Sequence, residues 1–137
     1  MAEYIKGLKM SAFVMDYDHN TANEEHLTAT HEQFFRIVRE ANPDLPIIIV
    51  TAPNVLLMGD AKLSYGRFTA RREIIRKTYE NALAAGDKNV YFVDGATLYE
   101  GDFYESCTAD GWHPNDLGFL RIARKLGPVI AKAMGIA

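Results

Sequence analysis

The chain has 137 residues, room for one domain and one core, and its 48% apolar and 24% charged residues are the balance of a globular domain. A net charge of −3 without a long basic run argues against nucleic acid as a partner, and no apolar stretch reaches the roughly 20 residues of a membrane span. Cys107 is the single cysteine, which rules out an internal disulfide and a cysteine-rich metal site, and Met1-Ala2-Glu3-Tyr4 lacks the apolar segment of a signal peptide.

Met1 to Leu8 reads as the last turns of a helix, and Ser11 to Asp16 as an apolar run of strand length. Ala22 to Ala41 is predicted to be a long helix, with Leu27, Phe34, Ile37, Val38 and Ala41 at helical spacing; Asn42-Pro43-Asp44-Leu45-Pro46 ends it. Pro46 to Thr51 is β-branched and apolar on both faces, the mark of a buried parallel strand. Ala52 to Gly66 reads as a loop longer than most connections, hence functional or mobile. Phe68 to Ala85 is a predicted helix closed by Gly86, and Val90 to Asp94 a third strand. Asp116 to Met134 is the final helix, with Leu117, Leu120, Ile122, Ala123, Leu126 and Ile130 directed to the sheet. Strands alternating with helices predict an α/β fold with a parallel sheet, ordered first, second, third. Ligands in such sheets bind beyond the carboxyl ends of the strands. Asn20, then Pro53 and Asn54, then Asp110 and His113 therefore open on one rim.

The last of these loops carries the sharpest chemical pattern, Asp110-Gly111-Trp112-His113-Pro114-Asn115. A carboxylate three residues before a histidine can fold back in one turn and hold the ring N–H. That fixes the tautomer and leaves the other nitrogen free to take a proton from a nucleophile. The plainer reading is an ordinary loop ending in a helix N-cap. Trp112 is either a packing anchor for this loop or a wall of a substrate pocket.

Two blocks resemble those of the SGNH hydrolases, also called GDSL-type esterases or lipases: Asp16-Tyr17-Asp18-His19-Asn20 at the end of the first strand, and Asp110-x-x-His113-Pro114. Asn42-Pro43-Asp44-Leu45-Pro46-Ile47 and the tail from Asp116 to Ala123 are similar to that family too, so the likeness covers nearly the whole chain as a single domain, residues 1–137. The resemblance implies a three-layer α/β/α, flavodoxin-like fold with a five-stranded parallel sheet, of which this chain would hold the last three strands. It implies that His113 is the general base, Asp110 its orienting carboxylate and Asn20 an oxyanion-hole donor, with no metal or organic cofactor. It further implies serine acyl transfer on a small ester, with acylated sugars and lipids both open. The sequence departs from the family pattern in two ways. Asp18-His19-Asn20-Thr21 stands where Gly-x-Asn-Asp is usual, and no Gly-Asp-Ser block with the nucleophile occurs anywhere. Ser11, Ser64 and Ser106 read as strand or loop serines, not on a turn that would hold a hydroxyl toward His113. The expectation is thus the C-terminal part of a longer hydrolase, inactive alone. Its open strand edge is expected to pair with a second copy or with the missing N-terminal portion. The alternative is a non-catalytic α/β module binding a ligand or partner at the same rim. A phosphate-binding role is disfavoured because no Gly-rich loop follows a strand.

Other residues invite weaker readings. His19, His26 and His31 do not share one helical face, against a metal site; His26 and His31 read as exposed helix histidines, and His19 as lining the pocket beside Asn20. Asp16 and Asp18 are predicted to face opposite sides of the strand end. Arg67, Arg71, Arg72, Arg76 and Lys77 read as a solvated basic helix face, with ligand binding by Arg67 or Arg71 the alternative.

Overall fold

The computed structural model describes residues 1–53 and 61–136, with only the helical backbone described across 61–67. Asn54 and the side chains of Ser64 and Arg67 lie outside the described residues. In chain order the elements are α1 (Ala2–Ile5), β1 (Phe13–Met15), α2 (Glu24–Ala41), β2 (Ile47–Val50), α3 (Ala61–Ala84), β3 (Val90–Val93) and α4 (Asp116–Ala133), with 3₁₀ turns at Gly95–Thr97 and Tyr104–Ser106. The three strands form one parallel sheet in the order β1-β2-β3, with Phe13 beside Ile47 and Ile47 beside Val90.

The central strand explains the layering. All four residues of β2 are buried, and their alternation sends Ile47 and Ile49 to one face and Ile48 and Val50 to the other. The first face carries α2 and α3 through Leu27, Phe35, Val38 and Ile75. The second carries α4 through Leu117, Ile122, Leu126 and Val129. Each fully buried isoleucine of β2 contributes roughly 1.5–3 kcal/mol relative to exposure. The result is the α/β layering expected from the sequence.

Three expectations need correction. Helix α3 starts at Ala61, so the end of the expected loop is helical. Ala61, Lys62 and Leu63 are strong helix formers, and a helix of this length absorbs Gly66 at a cost of about 1 kcal/mol. In α4, Leu120 is 46% exposed and Ala123 is also exposed, because the face toward the sheet runs through Leu117, Ile122, Leu126, Val129 and Ile130. In α2 the buried stripe is Leu27, His31, Phe35 and Val38. His31 is a core residue there, only 1% exposed, not a surface histidine.

Candidate functional site

The Asp110 loop is built to hold its own histidine. Gly111 has φ 82°, a left-handed conformation that folds the chain back over Asp110 and that residues with a Cβ adopt reluctantly. Asp110 Oδ1 then accepts from the backbone N–H of Trp112 at 2.9 Å and of His113 at 2.8 Å. Its Oδ2 lies 2.7 Å from His113 Nδ1. A carboxylate only accepts, so Nδ1 carries a proton, and in the neutral ring Nε2 keeps its lone pair. The hydrogen bonds from the His113 backbone, the His113 ring and the Trp112 backbone hold the Asp110 carboxyl well below the usual carboxylate range. The His113 side chain is 74% exposed, so Nε2 is accessible.

The loop is closed at its base. Ala109 N–H donates to His113 O at 2.8 Å and Asn115 N–H to Cys107 O at 3.0 Å, with Thr108 bridging antiparallel to Pro114. Asn115 both caps α4, accepting from Gly118 N–H, and donates from Nδ2 to Ser106 O at 2.7 Å. Helix and loop can come this close because position 118 is glycine. A Cβ there would lie 2.2 Å from Cys107 O.

The turn after β1 approaches the same loop through His19. The His19 and Trp112 rings meet edge to face, 4.4 Å between centroids, and Phe68 packs on His19 at 5.7 Å. Trp112 is therefore a packing anchor for the Asp110 loop. Asn20 is exposed, and it lines a cavity of about 710 Å³ together with Asp16, Tyr17, His26 and Phe34. His19 thus joins the β1 turn to Trp112, while Asn20 borders the neighbouring hollow. Among the described residues no group of His, Cys, Asp and Glu could hold a metal ion. Ser106 is exposed in its 3₁₀ turn, and Ser11 is exposed before β1.

The basic face of α3 is only partly solvated: Lys77 is exposed, while three of the arginines are paired. Arg71 and Asp18 are each 2% exposed and pair at 2.7 Å, while Arg72 and Arg76 both pair with Asp94 at the end of β3. Asp18 is buried while Asp16 borders the cavity; both lie past the end of β1, so strand alternation, which would put residues two apart on one face, does not set their directions. No local signal in the sequence marks Arg71 as buried, because adjacent helix residues lie about 100° apart and both fit on a wide solvent-facing stripe.

The sequence matches the model of the GDSL-like lipase/acylhydrolase family over residues 1–131. Among solved structures, a protein of Bacteroides ovatus described as a GDSL-like lipase superposes with a TM-score of 0.86 at 28% identity, covering 99% of this chain and 40% of that one. A salicylyl-acyltransferase from a tetracycline biosynthetic pathway superposes with a TM-score of 0.73 at 20% identity, covering 93% of this chain and 40% of its own. A family two carbohydrate esterase from Clostridium thermocellum, in complex with cellohexaose, gives 0.67 at 19% identity, covering 97% and 39% respectively. The last two likenesses are of fold alone. The chain therefore spans 40% or less of the length of these proteins. No curated protein sequence matches it.

Proposed function

The chain belongs to the GDSL-like lipase/acylhydrolase family, and from that premise we propose that it supplies the acid–base and oxyanion half of a serine acyl-transfer site acting on carboxylic esters. The observation that carries this reading is the 2.7 Å contact from Asp110 Oδ2 to His113 Nδ1, with the opposite ring nitrogen exposed. In that state His113 Nε2 takes the proton of an attacking hydroxyl and returns it to the leaving alkoxide. Asp110 holds the tautomer and stabilises the imidazolium formed. The side-chain amide of Asn20 donates to the carbonyl oxygen as it becomes an oxyanion; loss of one such donor typically lowers the rate about 100- to 1000-fold. The nucleophile comes from outside the three serines of this sequence, because Ser11, Ser64 and Ser106 lack a Gly-Asp-Ser setting. The substrate class is a small ester, an acylated sugar or a lipid. Those substrates fit the family description and the carbohydrate esterase among the structural neighbours.

Two measurements test this. Nitrogen NMR of the His113 ring should find the proton on Nδ1 near neutral pH; a ring protonated on Nε2 alone would remove the general base. The purified chain should give no saturable turnover of p-nitrophenyl esters of short or long acyl chain and no labelling by a fluorophosphonate. Saturable turnover abolished by Ser64→Ala or Ser106→Ala would place the nucleophile within the chain and overturn the half-site reading.

A further inference from the structure

The buried pair of Asp18 and Arg71 does more than fill the interior. Asp18 Oδ1 accepts from Arg71 Nε at 2.7 Å and its Oδ2 from the backbone N–H of Ala52, the second residue after β2, at 2.9 Å. The Arg71 Nη2 reaches the backbone oxygens of Asp18 and Thr21 and the Thr21 hydroxyl, and that hydroxyl donates to Asp18 O at 2.8 Å. One guanidinium on α3 thus closes the turn from Asp18 to Thr21 and ties it to the end of β2. A buried ion pair is a poor source of net stability, because desolvation offsets most of the attraction. Its planar fork is instead a good device for fixing geometry. The turn it closes holds His19 and Asn20 alone between its two anchors, and His19 packs on Trp112, which lies inside the Asp110–His113 loop.

We propose that Arg71 is a positioning residue: through Asp18 it sets His19 against Trp112 and thereby fixes where Asn20 stands relative to His113. The proposal rests on the reading of Asn20 and His113 as parts of one site. It separates two kinds of order. The bond between Asp110 and His113 is local to its loop and survives without the clamp. The placement of that loop against the β1 turn does not survive.

The test needs no hydrolysis. Trp112 is the sole tryptophan and His19 one of four histidines, so proton NMR can assign both rings with His19→Gln as the reference. In the wild type, ring-to-ring NOEs and ring-current shifts are expected between them. In Arg71→Lys, with its circular dichroism unchanged, these are expected to disappear while His113 keeps its proton on Nδ1. Arg39→Lys is the control. It weakens a different, partly buried Arg–Asp pair, Arg39 to Asp87 at 2.7 Å, at the opposite end of the sheet. It should lower stability and leave the Trp112 contact intact. Thr21→Val is the milder second variant if Arg71→Lys does not fold, and is read in the same way. Retention of the NOEs in a folded Arg71→Lys or Thr21→Val, or their loss in Arg39→Lys as well, overturns the proposal. An Nε2-protonated His113 with the Trp112 contact intact would instead sink the catalytic reading and leave the clamp standing.

Discussion

His31 makes the stability of this fold fall as the medium becomes mildly acidic. Its ring is stacked on Tyr17 at 5.5 Å and 7°, its Nδ1 lies 2.8 Å from the Thr78 hydroxyl, and no described residue meets its buried Nε2. Burial pushes its pKa down from 6.5 to about 4, against a smaller opposing pull from Asp18 and then Glu32. Below 6.5 the unfolded chain takes up a proton that the folded chain refuses until about 4, so stability drops as pH falls through that window. The full difference is worth about 3 kcal/mol, of which about 2 kcal/mol is lost between roughly pH 7.5 and pH 5. Urea unfolding at those two pH values, on the wild type and on His31→Leu, is the direct assay. The comparison is needed because Asp16 has a raised pKa, from burial first and Asp18 second, and so works in the opposite sense. The wild type should lose about 2 kcal/mol more than the variant over this window. Equal losses in the two proteins would mean that His31 is not held neutral by its surroundings, and the reasoning would fail.

Other outcomes follow from single contacts. Asp110→Ala removes the acceptor of two backbone N–H groups, so amide exchange at Trp112 and His113 should accelerate about 10- to 100-fold. Within α4, Gly118→Ala should destabilise by about 1–3 kcal/mol, because the new Cβ meets the Cys107 carbonyl at 2.2 Å; thermal melts against the wild type decide it. Strand β1 has β2 on one side only among the described residues, and an open edge pairs readily with another chain. Light scattering should therefore find association that grows with concentration; a monomer at every concentration, with freely exchanging Val14 amide, would show that the edge is tolerated.

What the sequence disclosed and what it concealed divide along one physical line. The sheet was legible because Ile47 to Val50 are all apolar and β-branched and follow Pro46, a pattern that favours a strand covered on both faces. The Asp110–His113 pair was legible because it is made within one turn, so spacing alone predicts contact. Arg71 and Asp18 meet across 53 residues and His31 and Thr78 across 47, and neither partner alone breaks a local rule. An arginine in a run of charges and a histidine on a helix both look like surface residues until the fold supplies a buried partner. The same division bears on the site. Local order gives His113 its Nδ1 proton, but whether a base, an oxyanion donor and a substrate carbonyl come to one point depends on long-range contacts, a role that falls in the proposed clamp to Asp18, His19 and Trp112. A motif can therefore announce the chemistry of a loop while leaving the geometry that makes the chemistry useful to residues that no motif contains.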